Sequence, residues 1–139
     1  MNQTLIFWPI FAQVLLTFVA YLVMSKRRIA AVKAGEARAR DFEVPRDPER
    51  SATAARNVAN QFELPVLFYV VCLAFHQVGA VGWIALLLAW AFVAARVAHA
   101  WLHMTSNIVM LRRRLFIVGF AIVGLMWAWL AVALLTMAG

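Results

Sequence analysis

The sequence predicts an all-α membrane protein, a bundle of four transmembrane helices, and two observations carry that expectation. Of its 139 residues 65% are hydrophobic, and the mean hydropathy is +0.83. A soluble domain of this size has too small an interior to hide so much apolar surface. The apolar residues also gather into four runs of roughly 20, the length a helix needs to cross a bilayer. In lipid each run must satisfy its own backbone hydrogen bonds, which a helix does within itself. Alternating barrel patterning is absent. The chain reads as a single domain, residues 1–139, without an internal repeat.

The first span covers about residues 4–24, TLIFWPIFAQVLLTFVAYLVM. Its positive cluster, SKRR, follows the apolar run, so a membrane helix is expected here and not a cleaved leader. The loop at 25–56 is the long polar segment. RRIAAVKAGEARAR favours helix by composition, and DFEVPRDPER interrupts it twice with proline. Asp47-Pro48-Glu49 forms a helix start: an N-cap side chain, proline in the first turn, then an acid at the positive helix end. The second helix is expected to run from near Pro48 to about His76, spanning the membrane at about 57–76. QVGAVG turns the chain into a third span at about 81–103. A loop at 104–114 leads to the fourth, at about 115–138. Trp8, Trp83, Trp127 and Trp129 lie toward the uncharged side and Trp101 toward the basic side, as interfacial belts require. Gly119 and Gly124 offer close helix contact. Cys72 is the single cysteine and reads as a small buried hydrophobe.

The net charge of +7 does not point to nucleic acid, because of where it lies. Nine of the thirteen Lys and Arg residues fall between Lys26 and Arg56, three more are Arg112, Arg113 and Arg114, and the last is Arg96. The turn between spans two and three has none. By the positive-inside pattern the loops 25–56 and 104–114 are cytoplasmic and both termini lie on the opposite side. The basic rim suits anionic lipid headgroups.

Two short stretches place ionisable groups inside this apolar frame. In AARNVANQFELPVLF, Arg56, Asn60 and Glu63 are spaced i, i+4, i+7, one face of a helix. In RVAHAWLHMTSN, Arg96, His99 and His103 are spaced i, i+3, i+7. Polar groups in a membrane segment face protein or water. Helices two and three are joined by a short turn and are expected to be antiparallel neighbours, with Glu63 and Arg96 both roughly 10 Å deep. They are expected to form a structural ion pair. Two readings remain open: the groups hold the bundle together, or Arg56, Asn60, Glu63, His99 and His103 line a polar pocket at the basic side. No metal site is expected, since His99 and His103 lack further ligands nearby. A transporter is disfavoured by the lack of a broken-helix pair or inverted repeat. His76 belongs to the other interface. The arginine triplet at 112–114 reads either as a headgroup anchor or as the source of a functional Arg112.

RNVANQFELP resembles the Arg-x-x-x-Asn-x-x-Glu signature, followed by proline, of the MAPEG family, the membrane-associated proteins of eicosanoid and glutathione metabolism. RVAHAWLH resembles that family's third-helix pattern, in which Arg is followed at +3 by His or Tyr and at +7 by Tyr. The resemblance covers the whole chain: length, four spans, basic first loop, short second turn. It implies a homotrimer of four-helix subunits, with glutathione bound between subunits at the cytoplasmic side. Arg56, Asn60 and Glu63 would hold its polar ends, with contacts from His99, His103 and Arg27 or Arg28. Arg112 would stabilise the thiolate as the catalytic cation. Two departures stand out: His103 replaces a tyrosine, and Pro65 follows Glu63 by two residues, which kinks helix two nearer the pocket.

The chemistry agrees with the residue types. Arginines clamp carboxylates, a glutamate receives an ammonium, and a cation lowers a thiol's pKa. A lipophilic co-substrate would arrive through the lipid. The sequence thus reads as a glutathione-dependent transferase or peroxidase of a bacterial inner membrane. The alternative is a non-catalytic trimer serving as an assembly or lipid-binding module.

Overall fold

The structure is a computed structural model of the chain and describes residues 1–43, 47–105 and 108–138. The described residues form five α-helices: α1 (Phe7–Lys33), α2 (Glu49–Ala59), α3 (Leu64–Gln77), α4 (Trp83–Met104) and α5 (Val109–Ala138). Short 3-10 turns at Gln3–Ile6 and Ala39–Phe42 precede α1 and α2. No strand occurs among the described residues. Four helical stretches among them are long and apolar enough to cross a membrane: Gln3–Lys33, Glu49–Gln77, Trp83–Met104 and Val109–Met137. Four helices long and apolar enough for the expected four-helix bundle are therefore present, with α2 and α3 sharing the second.

The second span departs from the single helix expected. It breaks at residues 60–63, between α2 and α3. Pro65 has no N–H, and its ring collides with the carbonyl of the residue four back, which is Gln61. The helix stops at Ala59, and α3 restarts at Leu64 with Pro65 in its first turn. The break frees the carbonyl of Asn60, and Arg96 Nη2 donates to it at 3.0 Å.

Smaller differences have equally local causes. The helix-favouring stretch after residue 24 stays helical only to Lys33. There Gly35, at φ 73°, takes the left-handed conformation while Glu36 N–H returns to the Ala31 carbonyl and Gly35 N–H to Val32. Gly79, at φ 69°, ends α3 by the same two-bond pattern. Pro48 rather than Asp47 is the N-cap of α2. The Asp47 carboxylate instead accepts the Ser51 hydroxyl (2.8 Å) and two bonds from the Arg28 guanidinium (2.8 and 2.7 Å). The expected loop at 104–114 is shorter than predicted, because α5 already begins at Val109 and carries Arg112, Arg113 and Arg114 in its first two turns. Arginine is a good helix former and nothing in VMLRRRLF interrupts.

Packing follows the apolar faces. α4 lies along α5, α1 along α2, and α3 packs on α5 more than on α4. The third span is thus a thinner neighbour of the second than its short connecting turn implied. The two touch through stacked Phe68 and Phe92 rings, 4.4 Å apart. Phe75, Cys72, Ile6 and Met126 are among the other buried side chains of the core. Gly119 is buried where α5 approaches Leu64 and Phe92, whereas Gly124 faces open space, so only the first serves close contact. Two polar links set the register of α1 against the second span: Arg28–Asp47 at the basic end and Gln13–Gln61 at the break. They are about 15 residues apart on both strands of the pair, roughly 22 Å of helix. Arg27 adds a third tie, donating to Thr53 Oγ1 at 3.0 Å and to the Met104 carbonyl. Large apolar side chains such as Trp8, Leu15, Phe18 and Leu22 cover the outside of α1.

Candidate functional site

The helix break organises the site. On its inner side sits a ladder of amides that sequence reading passed over. Gln13, Asn57 and Gln61 are buried, at 0, 0 and 1% exposure. Gln13 Nε2 donates to Gln61 Oε1 at 2.9 Å, and Gln61 Nε2 donates to the Asn57 carbonyl at 3.2 Å. A glutamine in the middle of the first apolar run was the available signal, since an intramembrane amide needs a partner.

On the other side, three elements converge on a cleft of about 350 Å3 lined by Asn60, His99, Arg112, Arg113 and Phe116. α2 supplies Asn60, its C-cap residue, whose N–H still bonds to the Arg56 carbonyl. α4 supplies His99, whose Nδ1 lies 3.2 Å from the carbonyl of Arg112. A carbonyl can only accept, so Nδ1 carries the hydrogen and Nε2 of the neutral ring is left as an acceptor. α5 supplies Arg112, half-buried, with its side chain on the cleft. Behind the cleft lie Arg96 and His103, 1 and 2% exposed. His103 meets His99 edge to face at 5.9 Å between ring centroids. Nε and Nη1 of Arg96, Nε2 of His99 and both ring nitrogens of His103 have no hydrogen-bond partner among the described residues. Buried polar atoms are normally satisfied, so these nitrogens are the polar groups around the cleft with hydrogen-bonding capacity left over among the described residues.

Not every residue singled out in the sequence reaches this place. Arg56 and Glu63 are exposed and do not line the cleft. The expected Glu63–Arg96 ion pair is not formed among the described residues: the ion pairs there join Arg28 to Asp47 and Arg50 to Glu36. The cause is the break. Glu63 becomes the N-cap of α3 at φ −95°, ψ −103°, and its side chain turns outward, while Arg96 binds the backbone of Asn60. Arg28 is likewise engaged elsewhere, with Asp47 and over the Phe42 ring at 5.0 Å. The hydrogen bonds from Arg28 hold the Asp47 carboxyl below the usual carboxylate range, against the opposing effect of burial. Three or more His, Cys, Asp or Glu side chains do not gather anywhere among the described residues. His76 sits at the far end of the bundle, edge to face with Phe7.

Comparison with curated proteins and with solved structures gives no match. The MAPEG family model matches residues 5–132, which includes all four membrane-length helices nearly entire, the break and every residue of the cleft. With an all-helical architecture of four such helices and a match over most of its length, this chain is a membrane protein belonging to the MAPEG family.

Proposed function

We propose that the protein binds glutathione in the cleft beside the helix break and uses its thiolate against lipophilic electrophiles, as a transferase or peroxidase. The observation that carries this reading is the convergence of Asn60, His99 and Arg112, from three different helices, on one cleft of about 350 Å3. That volume lies within the range of about 300–1,000 Å3 typical of small-molecule sites. Arg56, one helical turn from Asn60, clamps a carboxylate of the tripeptide. Glu63 receives its ammonium, and His99 and His103 contribute the remaining polar contacts. Arg28, which also pairs with Asp47, adds a further basic contact. The Arg112 cation stabilises the thiolate. In the transferase reaction the thiolate sulfur bonds to an electrophilic carbon while the leaving group departs with its electron pair and takes up a proton. In the peroxidase reaction the sulfur attacks a peroxide oxygen, the O–O bond breaks and an alcohol leaves. The resulting sulfenic acid is then reduced by a second thiol to a disulfide and water.

The same reading has the protein as a homotrimer in a bacterial inner membrane, its basic side cytoplasmic. The polar atoms of Arg96 and His103 that lack a partner among the described residues, and the outward Arg56 and Glu63, favour a site completed by a neighbouring subunit. Native mass spectrometry from mild detergent is expected to show a trimer, and a dominant monomer or dimer refutes that part.

Calorimetry and thiolate absorbance near neutral pH test the rest. Arg56→Ala is expected to weaken glutathione binding. Arg112→Ala is expected to spare binding and diminish the thiolate signal, because it removes the cation but keeps the carbonyl that holds His99. No binding at millimolar glutathione sinks the transferase reading, and the non-catalytic trimer, an assembly or lipid-binding module, then takes its place.

A further inference from the structure

The outer side of the α4–α5 pair carries a second hollow, separate from the polar cleft. It holds about 670 Å3 and is lined by Trp90, Val97, Ala98 and Trp101 of α4 with Leu111 and Leu115 of α5. It lies across the pair from the polar cleft. Val97 and His99, like Trp101 and His103, are two residues apart and so about 160° apart around the helix. α5 divides its arginines in the same way. Arg112 lines the cleft, whereas Arg114 is again about 160° away; it does not line the hollow itself, but it follows one turn after Leu111 and directly precedes Leu115, which do.

Three facts say what fits there. The hollow is apolar throughout, and from Trp90 to Trp101 it extends roughly 16 Å along α4, about half of the ~30 Å hydrocarbon thickness, or one leaflet. Trp101, 69% exposed, marks the interface at its basic end. Arg114 is exposed and has no ion-pair partner among the described residues, and the chain contains no Asp or Glu after Glu63. The counter-charge for this cation therefore comes from outside α3, α4 and α5.

We infer that this hollow seats one anionic phospholipid of the leaflet on the basic side, with an acyl chain between α4 and α5 and the headgroup phosphate at Arg114. The bound lipid braces the outer face of the α5 start, while the inner face of the same turns holds His99 through the Arg112 carbonyl. The inference is independent of whether the cleft binds a thiol.

Native mass spectrometry of the full chain in mild detergent, with phosphatidylglycerol and phosphatidylcholine added in equal amounts, tests it. The wild type is expected to retain phosphatidylglycerol about fivefold better, the attraction of one arginine for an anionic headgroup. Arg114→Gln is expected to bring the two lipids to parity and Arg114→Lys to keep most of the preference. Ala98→Trp, which fills the hollow at an exposed position, is expected to lower retention of both lipids. Equal retention of the two lipids by the wild type overturns the inference. So does a loss in Arg113→Gln as large as in Arg114→Gln, because diffuse surface charge would then be responsible. Undiminished retention by Ala98→Trp overturns it as well.

Discussion

Removing the amide contact that ties α1 to the helix break should reveal a coupled pair, with unequal costs on its two sides. Gln13 and Gln61 are 0 and 1% exposed and share one bond of 2.9 Å. Methionine has nearly the same shape without the amide. In Gln13→Met, Gln61 Oε1 loses its donor, but the bare Oε1 of Gln13 disappears as well. The net cost is expected to be about 1 kcal/mol, near the upper end of measured intramembrane hydrogen bonds. Gln61→Met is worse: both amide atoms of Gln13 are then unpartnered in an apolar interior, and the Asn57 carbonyl loses its contact from Gln61. A buried unsatisfied group costs about 1–3 kcal/mol, and about 2 is expected here. The double variant removes the stranded atoms of both residues and should cost about 1 kcal/mol less than the sum. Thermal melts of the four proteins in one detergent measure this, at roughly 3–5 °C per kcal/mol for a chain of this length. If the two losses add to within about 0.5 kcal/mol, or if Gln13→Met is the more damaging, the ladder does not couple α1 to the break.

Glu63→Gln and Arg96→Gln are expected to be additive in a double-mutant cycle in detergent, since the two side chains are not in contact; a coupling above about 1 kcal/mol would show that they pair in the assembled protein. The Arg28–Asp47 link predicts a pH dependence. The Asp47 carboxyl titrates below its ordinary value of 3.8 in the folded chain, so its contribution is fully present above about pH 4 and is lost as the pH falls through the lower folded value. Asp47→Asn should therefore flatten the acid side of the stability profile, and an unchanged acid limb would remove Asp47 as its cause.

The legible part of this protein is what depends on position along the chain. Four apolar runs and two basic segments define four helices and a basic side, and Gln3–Lys33, Trp83–Met104 and Val109–Met137 follow the first, third and fourth runs. Asn60, His99 and Arg112 can be picked out because a membrane segment tolerates few polar residues without a use for them, and the structure brings those three to one cleft.

What the sequence does not show is direction around each helix and choice of neighbour. A shared face for Arg56, Asn60 and Glu63 needs an even 100° per residue. Pro65 takes residues 60–63 out of the helix, and past that point the face no longer continues. Glu63 consequently points outward and Arg96 caps a backbone carbonyl instead of pairing with it. The bond between Gln13 and Gln61 joins residues 48 apart, and neither helix's periodicity indicates it. Apolar burial is set by composition and is nearly indifferent to rotation, whereas a hydrogen bond fails within an ångström or a few tens of degrees. The spans are therefore determined by the sequence alone, and the polar contacts are decided only when the helices pack.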